Sequence, residues 1–177
     1  MFNRIKNNNK AFIVLFILVL ISIVVMLFLD SFLITESAPN GIVSFELAKY
    51  FDKSIEIINS WDSVAKTSAG LSMGFDFLFL LIYSSFIWLL IVRINQYLFV
   101  KDEISFFEKT VLALPFLAAF FDVLENIALI KLLLGDLEQI WSSLAYYFAT
   151  IKFGLLFVAI AYILIGGVIL IFKKRKK

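Results

Sequence analysis

Four long apolar runs constrain this chain more than any other feature of its sequence. They cover about residues 11–29, 73–100, 110–134 and 141–172 of 177. Each run reaches the roughly 20 residues that an α-helix needs to cross about 30 Å of hydrocarbon. Apolar residues make up 62% of the chain, against roughly 45–50% in soluble domains. The sequence therefore predicts an all-α membrane protein, a single domain built as a bundle of four transmembrane helices.

The first run, residues 11–29, has no charged residue and follows Arg4, Lys6 and Lys10. A basic stretch before an apolar one is also typical of a cleavable signal peptide. This run exceeds the about 7–15 apolar residues of such peptides, however. Pro39 also follows the nearby pair of small residues, where it disfavours cleavage. We therefore predict an uncleaved signal-anchor helix.

Basic residues are concentrated at the two chain ends and around the turn between the second and third runs. They are Arg4, Lys6, Lys10, Arg93, Lys101, Lys109, Lys173, Lys174, Arg175, Lys176 and Lys177. The turn between the third and fourth runs contains Asp136 and Glu138 but no cation. Cytoplasmic loops of membrane proteins carry an excess of Lys and Arg. We therefore expect a multi-pass protein of the cell inner or plasma membrane, with both termini cytoplasmic.

The long connection between the first two runs, residues 30–72, is expected outside the cytoplasm. Pro39-Asn40-Gly41 predicts a turn near its start. After this turn, apolar residues recur at helical spacing, namely Val43, Leu47, Tyr50, Ile57 and Trp61. Charged residues occupy much of the remainder. This pattern predicts one amphipathic helix over about residues 41–59, lying on the outer membrane surface or capping the bundle.

Ionisable residues inside the apolar runs are the strongest functional signal, because each costs about 2.5–3.5 kcal/mol at the centre of a bilayer. In the third run Asp122, Glu125 and Asn126 stand at i, i+3 and i+4, on one helical face. In the fourth run Lys152 shares a face with small residues, which let helices approach closely. We therefore predict that Lys152 contacts Asp122 or Glu125.

The other polar groups of the runs fall at similar depths. Counting 1.5 Å per residue from the predicted outer ends places Tyr83 and the groups of the third and fourth runs about 13–18 Å deep. Asp76 is nearer the surface, and Asp30 stands at the outer rim of the first run. The sequence thus predicts one polar network or pocket in the outer half of the bundle, open or nearly open to the outside.

Several short motifs are spread over the chain after the first run. They are Pro39-Asn40-Gly41-Ile42, Phe45-Glu46-Leu47-Ala48, Gly74-Phe75-Asp76-Phe77-Leu78-Phe79 with Tyr83, Asp122-Val123-Leu124-Glu125-Asn126 and Lys152-Phe153. Together these motifs resemble a group of small four-helix bacterial membrane proteins without assigned activity. The resemblance implies a four-helix membrane architecture and carries no function with it. It adds Glu46 and Asp76 to the candidate site residues.

The chain contains no Cys and no His, which excludes thiol chemistry, disulfides, Cys/His zinc sites and His bases. Three function classes remain, in the order that the sequence favours them. The first is a structural or accessory membrane subunit, whose buried charges hold the bundle together. The second is a module that binds or transports a cation, a proton or a small solute, because acids outnumber the buried Lys. The third is a membrane-embedded lipid-modifying enzyme, using a divalent metal on a carboxylate pair or Lys152 with Ser84 or Ser85.

The sequence thus leans towards a protein that is not an enzyme, with no cofactor and no metal. The lipid bilayer is the expected surrounding partner. A second membrane protein, or another copy of this chain, is the expected protein partner, and no nucleic acid is expected to bind. These expectations follow from the four apolar runs and from the absence of any motif that specifies a reaction.

Overall fold

The computed structural model describes residues 9–98 and 105–175, and within these ranges it is helical with no β-strand. The helices are α1 (Asn9–Asp30), α2 (Ile42–Glu46), α3 (Phe51–Ser60), α4 (Ser63–Leu98), α5 (Phe106–Leu133) and α6 (Gln139–Arg175). Four of them, α1, α4, α5 and α6, are long and apolar enough to cross a membrane. The predicted all-α architecture with four candidate membrane spans is therefore confirmed. Helix α4 begins at Ser63, well before the apolar run that starts at Met73.

Part of the basic pattern that predicts the orientation falls on residues that the structure does not describe. The basic residues Arg4, Lys6, Lys101, Lys176 and Lys177 lie outside the described ranges, as does the predicted end of the second run at residue 100. The side chains of residues 173–175 are also outside the description. The orientation of the bundle therefore stays a prediction.

Helices α4, α5 and α6 pack together, and α1 lies along α4. The one buried residue of α1 is Ser22, so most of its apolar side chains face away from the bundle, as expected for a helix in contact with lipid. Arg93 of α4 holds the start of α1 in place. Its guanidinium lies 4.4 Å from the centre of the Phe12 ring and donates a hydrogen bond of 3.3 Å to Asn9 Oδ1.

Helices α5 and α6 form an antiparallel hairpin because α5 ends in a Schellman motif. Gly135 has a φ of 93°, which suits a residue without a Cβ. Its N–H donates to the Leu132 carbonyl at 3.1 Å, and the Asp136 N–H donates to the Lys131 carbonyl at 3.0 Å. This tight turn brings the acidic face of α5 next to the small-residue face of α6.

Residues 31–62, which we call the cap, fold over one end of the bundle. Leu33, Phe45 and Ile57 of the cap are almost fully buried and pack with residues of α4, α5 and α6 in one apolar cluster. The Trp61 indole N–H donates to the Leu33 carbonyl at 2.9 Å, and its ring meets Phe45 edge to face at 5.3 Å. The cap is therefore an integral part of the fold. We call the end of the bundle that it covers the capped end.

The prediction of one continuous helix over residues 41–59 is wrong, because the cap contains two short helices, α2 and α3. The chain breaks at residues 47–50, where Lys49 takes a φ of 59° and Tyr50 is extended. Gln139, at the start of α6, stabilises the break from outside. Its Oε1 accepts from the Phe51 N–H at 2.8 Å, and its Nε2 donates to the Lys49 carbonyl at 3.1 Å.

The break also divides the apolar stripe that was predicted for a single helix. Ile57 and Trp61 are buried against the bundle, whereas Val43, Leu47 and Tyr50 are exposed. The residues of the stripe therefore have two roles, since only those after the break contribute to the core beneath the cap.

Candidate functional site

Lys152 is the centre of a buried network of charged side chains. Helix α6 carries it on a stripe with Ala145, Ala149 and Ala159, all buried, and this stripe allows close packing of α6 in the bundle. The Lys152 ammonium lies 3.1 Å from Asp122 Oδ1 and 2.9 Å from Glu125 Oε1. The predicted contact between Lys152 and the acids of the third run is therefore present, with both carboxyl groups rather than one.

The cap supplies a third carboxyl group to this network. Glu46 is the last residue of α2, and its Oε2 lies 3.7 Å from the Lys152 ammonium. Its side chain is 12% exposed, compared with 0% for Glu125. One ammonium group thus meets acids from two other elements, the cap and α5. Glu46 was a candidate only through the resemblance, and the structure places it directly on Lys152.

Two further hydrogen bonds join α4 to the same face of α5. The Tyr83 hydroxyl donates to Asp122 Oδ2 at 2.9 Å, so that Asp122 lies between Tyr83 and Lys152. One turn away, the Asn126 amide donates to Asp76 Oδ2 at 2.6 Å. Both contacts are buried. The six residues first singled out in the runs therefore form one continuous polar region across α4, α5 and α6.

Asp30 does not join this network. Its Oδ1 accepts a hydrogen bond of 2.6 Å from the Ile42 N–H, which makes it the anchor for the start of α2. The close approach requires Gly41, whose φ is 55° and whose Cβ, if it had one, would collide with the Asp30 carboxyl group. Asp30 therefore positions the cap, and Glu46 is the cap residue that reaches the charges.

The serines proposed as partners of Lys152 have other surroundings. The Ser84 hydroxyl donates to the Leu81 carbonyl at 3.4 Å. Ser85 lines a groove of about 470 Å³ together with residues of α1 and α5. Lys152 already donates to two carboxyl groups, so it has no geometry for activating a serine. The Ser–Lys form of the enzyme hypothesis is therefore not supported.

The metal-dependent form of the enzyme hypothesis has no more support from the geometry than the Ser–Lys form. Within residues 9–98 and 105–175, no group of three or more acids is arranged to hold a metal ion. The acids of the network instead contact an ammonium, a phenol and an amide. We therefore propose no metal site.

Two grooves lie on the outside of the bundle, away from the network. One of about 390 Å³ follows α1 and α4 near the capped end, lined by Phe28, Leu29, Phe32, Ser63, Val64, Thr67, Ser68 and Leu71. The other is the groove at Ser85. Neither is lined by Lys152 or by an acid of the network. The charged groups are packed inside the protein, with the cap above them.

The network contains more acids than cations. Four carboxyl groups, those of Glu46, Asp76, Asp122 and Glu125, accompany the single ammonium of Lys152. Burial raises the pKa of the Glu46 carboxyl above its ordinary value, and the nearby Asp122 charge adds to this effect, whereas Lys152 opposes it. Glu46 Oε2 is buried and accepts no hydrogen bond, whereas the buried Glu125 Oε2 lies 2.8 Å from the Lys152 ammonium. Glu46 Oε2 is therefore the unsatisfied oxygen of the site.

Sequence reasoning missed two polar contacts. Gln139 was assigned to a turn, yet its amide holds the break in the cap. At the other end of the bundle, the Tyr162 hydroxyl donates to Asn95 Oδ1 at 2.5 Å and joins α6 to α4. The signal for the second contact was Asn95 itself, an amide within an apolar run.

In comparisons with known proteins, no family model, no curated protein and no solved structure matches this chain. Its function is therefore inferred from the geometry of the network.

Proposed function

We propose that this chain is a non-catalytic membrane protein, a structural or accessory subunit whose cap and bundle are held in one arrangement by the network around Lys152. The observation that carries the proposal is the simultaneous contact of Lys152 with Glu46 of the cap and with Asp122 and Glu125 of α5. A buried ion pair that loses one partner is strongly destabilised, so such a network favours one arrangement of the elements that supply it.

An accessory subunit needs a surface for a membrane partner, and α1 is where such a surface is exposed. This helix has one buried residue, Ser22, and presents a long apolar surface with Val24 and Leu27 about two-thirds exposed. The surface faces lipid or another membrane helix. Helix association in membranes depends on packing and on small residues rather than on the hydrophobic effect, so the exposed apolar surface alone does not select between the two.

Photo-crosslinking in native membranes tests the accessory role. A crosslinking residue is introduced at Val24 of α1, and a matched one at Leu164 of α6, which is 64% exposed. We expect Val24 to yield one discrete adduct with a protein other than this chain, and Leu164 to yield mainly lipid. An adduct of the chain with itself would replace the accessory role by self-association. No protein adduct from either position would contradict it.

We also propose that the protein lies in the cell inner or plasma membrane with both termini in the cytoplasm, so that the cap is outside. The Lys and Arg residues near the chain ends and near the turn between α4 and α5 support this orientation. A reporter that is active only outside the cytoplasm, fused after Lys177, should be silent, whereas the same reporter inserted after Asn59 of the cap should be active. The reverse pattern would overturn the orientation.

The excess of acids favours a second candidate function, the binding or transport of a proton or a cation. Several ionised carboxyl groups close together in a low dielectric are unfavourable, so the site gains stability by taking up positive charge. Proteoliposomes test transport directly. We expect proton or cation uptake by the wild type and none by the triple variant Lys152→Met, Asp122→Asn, Glu125→Gln. Absence of uptake by the folded wild type would leave the structural role alone.

A further inference from the structure

We propose that Glu46 and Glu125 share one proton, and that the cap packs on the bundle only while this proton is bound. The proposal deepens the proton-binding candidate function, on which it rests. The ligand is a proton, the site is the pair of carboxyl groups where α2 meets α5, and the cap is the part of the molecule that responds.

The hydrogen-bonding geometry around Glu46 is the first observation that favours a shared proton. Glu46 Oε2 is buried without a hydrogen bond, and the Glu46 and Glu125 carboxyl groups meet at the same ammonium, with oxygens 3.7 and 2.8 Å from the Lys152 nitrogen. Lys152 does not satisfy the Glu46 oxygen, because a separation of 3.7 Å is too long for a hydrogen bond. A proton held between the two carboxyl groups would supply the donor that the Glu46 oxygen lacks.

The second observation is the charge around Glu46. Lys152 faces it from α6, and Asp122 and Glu125 face it from α5. Asp76 and the Tyr83 hydroxyl, both on α4, complete the region behind Asp122. With every carboxyl ionised, four negative charges would surround one positive charge in a packed interior, where charge is costly. One shared proton removes a negative charge at the boundary between cap and bundle.

The third observation concerns the direction of the pH effect. Burial raises the pKa of Glu46 above its ordinary value of 4.5 in the docked cap. A carboxyl group with a raised pKa stabilises the docked state fully below 4.5, and this contribution is lost as the pH rises through the raised pKa. High pH therefore favours release of the cap. Because one proton is involved, the docking equilibrium changes by at most about tenfold per pH unit.

The cap, rather than the bundle, is the part that moves, because Glu46 stands on a short helix and Glu125 on a long one. Glu125 lies inside the long helix α5, with its side chain 0% exposed. Glu46 ends a helix of five residues that is followed by the break at residues 47–50. A movement of the cap, α2 together with α3, away from the bundle would separate the two carboxyl groups without unfolding any membrane-spanning helix.

Cysteine protection measures cap docking, since the chain has no Cys of its own. Ser54→Cys places a thiol at a fully buried position of α3, and Asn59→Cys places one at an exposed position of the same helix. The alkylation rate in detergent of the thiol at position 54 is divided by that of the thiol at position 59. This ratio cancels the pH dependence of the thiol chemistry and reports exposure of position 54. We expect this ratio to rise with pH above 4.5, by at most about tenfold per unit.

Two variants isolate the shared proton. In Glu46→Gln the amide supplies a permanent donor, so the thiol at position 54 should stay protected at all pH values. In Glu56→Gln the rise of the alkylation ratio with pH should persist. Glu56 is exposed, and the hydrogen bond from Lys53 lowers its pKa, so Glu56 does not titrate in the pH range above 4.5 where the rise is expected. A ratio independent of pH in the wild type, or an unchanged rise in Glu46→Gln, would overturn the proposal.

Infrared spectroscopy gives a direct second measurement. The wild type should show the C=O band of a protonated carboxyl that disappears as the cap is released, and both Glu46→Gln and Glu125→Gln should lack it. Glu125→Gln also covers the case in which Glu46→Gln does not fold. A wild type without this band would contradict the shared proton. A titrating band with no uptake into liposomes would discard transport and retain the shared proton.

Discussion

Replacement of Lys152 by Met removes the ammonium group from the network while keeping a long, unbranched side chain in the same space. Asp122 and Glu125 would each lose a charge-assisted hydrogen bond, of 3.1 and 2.9 Å respectively. Hydrogen bonds to charged groups contribute about 1.5–3 kcal/mol each, so the two together account for about 3–6 kcal/mol. Removal of one member of a buried ion pair costs about 3–5 kcal/mol, which agrees with this range.

The loss should be recovered in large part by adding Asp122→Asn and Glu125→Gln to Lys152→Met. The single variant leaves Glu46, Asp122 and Glu125 without a cation, whereas the triple variant leaves only Glu46 of these three carboxyl groups. The Tyr83 hydroxyl can still donate to the carbonyl oxygen of an amide at position 122. The free energy of unfolding of the triple variant should therefore lie much nearer to the wild type than to the single variant.

Unfolding in mixed micelles, followed by tryptophan fluorescence, measures both effects. Lys131→Met is the matched control, because Lys131 pairs with Asp136 at 3.2 Å and both side chains are substantially exposed. A surface pair of this kind contributes about 0–1 kcal/mol. The reasoning would be refuted if Lys152→Met cost no more than Lys131→Met, or if the triple variant were no more stable than the single one.

Two further predictions concern the attachment of the cap. Gly41→Ala should lower the unfolding free energy by about 1–3 kcal/mol, because a Cβ there meets Asp30 and the backbone has a positive φ. Gly74→Ala is the control and should be neutral or stabilising, since Gly74 has open space around it. Equal unfolding midpoints for the two variants would contradict this account. Gln139→Met should speed amide hydrogen exchange across the cap relative to α5, since two hydrogen bonds of about 0.5–1.5 kcal/mol each are lost. Glu138→Gln is the control. Unchanged exchange in Gln139→Met would show that the Gln139 amide does not hold the break at residues 47–50.

Local pattern in the sequence was sufficient for the membrane spans and for the centre of the site. Length and apolarity alone define a helix that can cross a bilayer, so the four spans needed no tertiary information. The helical period places Asp122 and Glu125 on one face, and the stripe of alanines around Lys152 marks the face of α6 that packs closely. The short turn at Gly135 then makes α5 and α6 neighbours, which is enough to predict their contact.

Tertiary structure alone decided the form of the cap and the membership of the network. The break at Lys49 depends on Gln139, which is 90 residues away in the sequence, and no local pattern records such a contact. Asp30 and Glu46 are both acids near the same end of the bundle, yet only Glu46 reaches Lys152, because Asp30 already accepts the Ile42 N–H. Hydrophobic periodicity tells which face of a helix is covered. Which side chain meets which across that face is decided by how the separate elements pack.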